Sequence, residues 1–146
     1  MKPEDVPTGP ILVDTDVFSL IHTQRQPWQD FAPFIEHRVV AVSFVTVAEL
    51  WFGARKAGWG ERKCKALEVA LGAYLPLAPD VRVAMLWGDL GRACLGRLGG
   101  DKEVHDLWIA ATALVFELPL LTRNLSDFQT IQRSGFGNLV LVHPSL

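Results

Sequence analysis

The sequence predicts an α/β domain built around a mainly parallel sheet, and three observations carry that expectation. Short apolar runs of strand length (ILVD at 11–14, VVAVS at 39–43, PLLT at 119–122, LVLVH at 139–143) alternate with longer stretches of helical periodicity. Prolines and glycines punctuate the boundaries between them. The 146 residues are 49% apolar and 21% charged, with a mean hydropathy of +0.21, as a sheet buried on both faces produces. The same excess, which includes five tryptophans, also points to apolar surface that a partner or a second copy covers.

Taken in order, MKPEDVPTGP carries acids and three prolines but no apolar run. It reads as a flexible arm over 1–10 rather than a secretory signal, leaving 11–146 as a single domain. ILVD extends as a strand, and VFSLIHTQ follows with apolar residues at 17, 18, 20 and 21, the pattern of an amphipathic helix. WQDFAPFIEH (28–37) predicts a helix interrupted or started near Pro33. VVAVS is β-branched and strand-like. TVAELWFGARKAG (46–58) is a run of helix formers stopped by Gly58, and ERKCKALEVALGA (61–73) gives another helix. YLPLA (74–78) reads as a short extended piece. Pro79-Asp80 opens a long helix to about Leu98, ended by Gly99-Gly100. VHDLWIAATALVFE (104–117) is apolar on nearly every face, so it predicts a central helix. PLLT and LVLVH supply the last two strands.

Several function classes drop out. No run reaches the roughly 18 apolar residues of a membrane span. Cys64 and Cys94 lie far apart without a CxxC or a histidine pair, which argues against zinc and disulfides and for a reducing cytoplasm. The net charge of −2 is neutral on nucleic acid: if four of the sixteen acids belong to a metal site, twelve remain against fourteen Lys and Arg.

Several acids stand out. Asp14 ends the first strand, where a sheet of this kind carries its site, although an Asp there also serves as a helix cap. Asp16 directly precedes VFSLI and reads as a cap. Glu49 is the only charge from Val42 to Ala54, and the positions three and four away are Val45, Thr46, Phe52 and Gly53. No local ion pair explains it, so a tertiary partner must. Asp106 opens a buried helix, where the helix dipole favours it and Lys102 lies four residues before. In LLTRNLSDF, Asn124 and Asp127 have the spacing of a helix cap and its return partner. Should these groups converge, their carboxylates cannot all stay ionised without cations. Oxygen-only ligands select Mg²⁺ or Mn²⁺ and leave room for phosphate oxygens, which is the equipment of metal-assisted phosphodiester hydrolysis.

Four stretches, ILVDTDVFSL, VSFVTVAELWFGARKA, HDLWIAATALVFELPLLTRNLSDF and LVLVHP, together resemble the PIN-domain ribonucleases, specifically the toxins of VapBC-type toxin–antitoxin pairs. The resemblance covers about residues 11 to 143 and implies a three-layer α/β/α fold. It also implies a Mg²⁺-dependent endoribonuclease, with Mn²⁺ as substitute, that cleaves RNA, forms a homodimer and is silenced by an antitoxin protein. Asp14, Glu49 and Asp106 match the family's three metal-cup acids and Asp127 the fourth, more variable one; Asp14 and Asp106 are the expected metal ligands. Thr15, Ser43, Thr46, Thr122 and Asn124 fall at supporting positions. Arg123, Arg55 and Lys56 are candidate contacts to RNA phosphates. Trp108 is bulkier than the family's common residue, and Glu117-Leu118 replaces a frequent glycine.

Two other readings compete. ILVDTDV also resembles the strand end of haloacid-dehalogenase-type phosphatases, with Asp14 as nucleophile and Asp16 as acid, but the later lysine and acid pair are missing. A catalytically silent PIN-like RNA-binding module is the other. Trp51 and Phe52, about 100° apart on one helix, predict one ring packed inside and one bordering a groove for a partner's apolar helix.

Overall fold

Three consecutive apolar residues, Ile11, Leu12 and Val13, form the buried strand β1 (Ile11–Val13) on which the rest assembles. The computed structural model describes residues 1–99 and 103–146. β1 lies between β2 (Val40–Ser43) and β4 (Leu120–Leu121), with β3 (Leu75–Leu77) beyond β2 and β5 (Leu141–Val142) beyond β4. All four pairings are parallel, in the order β3-β2-β1-β4-β5. The extended piece expected at YLPLA is therefore an edge strand.

Strand alternation sorts the core into two layers. Leu12, Ala41, Leu120 and Leu141 face one side and pack with Leu90, Leu107, Phe128 and Ile131. These come from α5 (Val81–Cys94), α6 (Glu103–Val115) and α7 (Leu125–Arg133). Ile11, Val13, Val40, Val42, Leu121 and Val142 face the other side, against Phe18, Leu20, Phe31 and Leu67. Those belong to α1 (Thr15–His22), α2 (Trp28–Phe31) and α4 (Glu61–Leu71). The result is the expected three-layer α/β/α sandwich. Truncating a fully buried core residue such as Leu12 to Ala costs about 2–5 kcal/mol in such a core.

Local differences have local causes. α3 (Phe44–Lys56) begins at Phe44, because Ser43 Oγ accepts from Val45 N–H at 3.3 Å and caps it there. α5 stops at Cys94, short of Leu98, since Leu95 turns extended and Gly96 takes a φ of +85°. Gly100, part of the expected stop, and Lys102 lie outside the described residues. Glu117 sits at φ +53°, the left-handed conformation that favours glycine. That geometry gives the physical reason a glycine suits the turn before β4. Trp108 is accommodated by stacking on Trp87 (5.2 Å, 25°) and meeting Phe44 edge-on (5.4 Å, 75°).

The leader lies along the body. Val6 is buried, and Arg38 donates to the carbonyls of Val6, Pro7 and Gly9 at 3.1, 2.6 and 3.3 Å. The chain runs from β1 to β2 on one side and returns through β4 on the other. The carboxyl ends of β1 and β4 therefore form the crevice where open parallel sheets place their sites.

Candidate active site

Asp14 leaves β1 at this crevice and does two things at once. Its Oδ1 accepts from Val17 N–H (2.8 Å), capping α1, while Oδ2 accepts from the Thr122 hydroxyl (2.5 Å) and Arg123 N–H (3.2 Å). Burial pushes its pKa up to about 6, opposed by the Thr122 and Val17 donors and reinforced by the neighbouring charge of Asp16. The expected assignment of Asp16 as the cap is thus corrected. The chain turns at Asp14, whose extended backbone (φ −78°, ψ 172°) suits a cap, whereas Asp16 already lies in the first helical turn. Asp16 is half-buried and borders the site.

Asp106, in the first turn of α6, is buried and accepts from the Asn124 side-chain amide at 3.0 Å. Its pKa is pushed up to about 7, first by burial and then by the charges of Asp14, Asp127 and Glu49, with Asn124 pulling the other way. The same Asn124 amide donates to Asp127 Oδ2 at 2.7 Å. It occupies the N-cap position of α7 but makes no side-chain cap bond, which corrects the capping expectation. The amide is spent on two carboxylates instead.

Glu49 has the tertiary partners its sequence context demands. Thr15 Oγ1 donates to Oε1 at 2.9 Å and lies 3.0 Å from Thr46 Oγ1. On the other side, His105 Nδ1 stands 3.3 Å from Oε2. That approach is within ion-pair range when the imidazole is protonated, but it is not directed as a hydrogen bond, and Nδ1 has no other hydrogen-bond partner among the described residues. Sequence reasoning passed over His105. Its only signal is its place immediately before Asp106, about 100° around the same helix. Ser43 and Thr112, both buried, face each other at 3.5 Å beneath the site.

These residues enclose a cup of about 20 Å³ bordered by Asp14, Thr15, Asp16, Glu49, Asp106 and Asn124, space for a single small ion or water. The donor chemistry fits a hard divalent cation. The carboxylates offer oxygen, and Asp14 and Asp106 are held above the usual carboxylate range first by burial and then by the neighbouring acids. Among the described residues no three His, Cys, Asp or Glu side chains close on one point as a finished cage; the Asn124 amide stands between Asp106 and Asp127.

The expected cationic contacts divide. Lys56 borders a larger groove of about 750 Å³ beside the cup, lined also by Val45, Leu50, Phe52 and Trp59. Arg55 is exposed on the same helix but does not border it. The Arg123 side chain borders a third cavity, with His143. Phe52 is 68% exposed while Trp51 packs against the core, the division expected of that pair.

A PIN-domain profile matches residues 11–133. Ribonuclease VapC5 of Mycobacterium tuberculosis is 30% identical over 135 residues, spanning 90% of this chain and 94% of its own. The solved structure of VapBC2 from Rickettsia felis, bound to a DNA fragment from their promoter, aligns with a TM-score of 0.74 at 20% identity, over 92% of this chain and 98% of that one. VapBC-5 from Mycobacterium tuberculosis, a member of the VapBC family of toxin–antitoxin systems, gives a TM-score of 0.66 at 26% identity over 93% and 99%.

Proposed function

The chain belongs to the PIN-domain family as a VapC-like member, and from that premise we propose that it is a Mg²⁺-dependent endoribonuclease, the toxin of a type II toxin–antitoxin pair. The observation that carries the reading is the convergence of Asp14, Glu49, Asp106 and Asn124 around one cup at the β1–β4 crevice, with Asp127 joined to it through the Asn124 amide. The family match also removes the basis of the phosphatase reading.

Asp14 and Asp106 would hold the ion, Mg²⁺ or Mn²⁺, which when bound acidifies water and polarises a phosphoryl group. Thr122 and the Arg123 N–H aim one oxygen of Asp14, and Asn124 aims Asp106. Glu49, fixed by Thr15 and flanked by His105, would accept a proton from the attacking water, and Asp127, joined to the cup through the Asn124 amide, would help orient that water. Arg123 and Lys56 lie on either side of the cup to hold the RNA backbone.

The groove next to the cup takes the antitoxin. Its exposed Phe52 invites an apolar helix, and an Arg from that partner can pair with the Glu49 and Asp16 carboxylates. Val81 and Met85, 73% and 69% exposed and one turn apart on α5, give a second copy an apolar stripe. Among the described residues no helix is long and apolar enough to cross a membrane, and both cysteines are free and buried; we place the protein in the cytoplasm. The test is cleavage of single-stranded RNA by the purified chain in Mg²⁺, expected to stop in EDTA and in Asp14→Asn. EDTA-resistant cleavage that survives Asp14→Asn would remove the cup from the mechanism.

A further inference from the structure

On the β4–β5 side of the cup lies a cavity of about 400 Å³ bordered by Pro27, Asp30, Phe31, Arg123, His143 and Ser145. We propose that it is a subsite for one ribonucleotide of the RNA, the unit adjoining the phosphate at the cup; the inference rests on the ribonuclease reading and extends it. Arg123 joins the two places. Its backbone N–H donates to Asp14 Oδ2 at 3.2 Å, so the side chain of the same residue enters the cavity one peptide away from the cup.

The polar groups in the cavity are ready for a ligand. Neither the Arg123 guanidinium nor the Asp30 carboxylate has an ion pair or side-chain hydrogen bond with another described residue. The His143 Nδ1 lies 3.0 Å from the Ser145 N–H and accepts from it, which places the proton of the neutral ring on Nε2. Phe31 meets that ring edge-on at 5.5 Å and 82°, fixing its plane. A subsite for phosphate alone would be lined by donors throughout. This one has a cation, a neutral N–H donor and a carboxylate acceptor set in an apolar wall of Pro27 and Phe31. That combination suits a nucleotide: Arg123 for its phosphate, Asp30 for a ribose hydroxyl or base amino group, and His143 for a base carbonyl. The recess is open to solvent, and its volume falls in the range of small-molecule sites. The groove on the other side of the cup, lined by Val45, Leu50, Phe52 and Trp59, also carries Lys56 and His105, but its carboxylates, Asp16 and Glu49, are shared with the cup.

The test is fluorescence anisotropy of a labelled single-stranded oligoribonucleotide with the full chain carrying Asp106→Asn, which blocks cleavage and removes a charge that repels RNA. Adding Arg123→Gln or His143→Phe should weaken binding about tenfold each. Arg62→Gln, an equal loss of charge on the exposed face of α4, should change it less than twofold. With 4-thiouridine in the RNA, ultraviolet cross-links should fall on the peptide containing 143–145. Arg123 is exposed, so its substitution leaves the fold intact. Equal weakening by Arg62→Gln would show bulk charge and overturn the subsite, as would binding indifferent to both Arg123→Gln and His143→Phe. Absence of RNA binding by the Asp106→Asn chain itself would overturn the ribonuclease reading along with it.

Discussion

The cup and the groove share a wall of Thr15, Asp16 and Glu49, yet they are built from opposite materials. The cup is small, buried and made of carboxylates whose oxygens are already committed to hydroxyls, an amide and backbone N–H groups. The groove is some 750 Å³, open, and bordered by an exposed Phe52 beside half-buried Leu50 and Trp59 and buried Val45. Chemistry requires groups held in one geometry before substrate arrives. Capture of a partner helix requires apolar area left uncovered until the partner comes. Because Glu49 belongs to both, a partner seated in the groove touches the cup directly, which is how an antitoxin would silence the enzyme without entering its core.

The largest expected effect tests the cup side of this division. Asp14→Asn and Asp106→Asn should each reduce RNA cleavage by well over the roughly 10–100-fold that loss of a supporting partner costs, while partner binding in the groove persists. In the metal-free protein both substitutions should raise the melting temperature, because each removes a charge that burial and its neighbours disfavour. Steady-state cleavage and thermal melts measure the two halves. A cleaving Asp106→Asn would break the assignment.

Phe52→Glu makes the reciprocal cut. The side chain is 68% exposed, so the fold should tolerate the change, and cleavage should be nearly unaltered. Loss of a central aromatic anchor commonly costs about 2 kcal/mol or more of binding. Co-expression with the product of the adjacent reading frame should then fail to relieve growth arrest. Relief as complete as with the unsubstituted chain would move the partner surface elsewhere.

Between these extremes lie the hydroxyls. Thr122→Val leaves Asp14 without its shortest donor, and Thr15→Val leaves Glu49 without its hydroxyl. Each should cost about 10–100-fold in kcat with little change in KM, as expected of a residue that orients a catalytic group without touching substrate. A change in KM alone would mean that these hydroxyls meet the RNA.

Much of this was legible in the sequence for one physical reason: alternation and interruption are visible one-dimensionally. Val13 to Asp14 is an apolar strand ending on a charge, and Glu49 is an isolated charge in an apolar helix. What stayed hidden depended on direction. Asp14 and Asp16 are chemically alike, and only the backbone turn decides that the first caps the helix. Asn124 has the sequence of a cap, but its side-chain NH2 turns to Asp106, from another helix, and to Asp127 within α7, and its oxygen makes no bond to the first N–H groups of that helix. His105 was hidden because a histidine beside an aspartate has no periodicity to betray it; its relation to Glu49 spans a sequence separation that only the packing of α3 on α6 closes.

The smallest effect is also the one that separates cup from groove without any mutation in either. Asp14 and Asp106 have pKa values of about 6 and about 7, both raised from 3.8. A carboxyl whose folded pKa is raised binds its proton more tightly when folded. Its contribution is fully present below the unfolded pKa and is lost as pH rises through the folded one. The metal-free protein should therefore lose stability between about pH 4 and pH 7, by several kcal/mol at most, or on the order of 10 °C in melting temperature. A Mg²⁺ ion held by the ionised carboxylates would stabilise the fold more as they lose their protons, so its stabilising shift should grow over the same interval and be largest near pH 8. The groove has no such buried acids of its own, and Phe52→Glu should leave both curves in place. Asp106→Asn should flatten the metal-free curve and shrink the Mg²⁺ shift together. A Mg²⁺ shift independent of pH, or one that survives Asp106→Asn, would place the cation away from these two carboxylates and dissolve the distinction between a charged cup and an apolar groove.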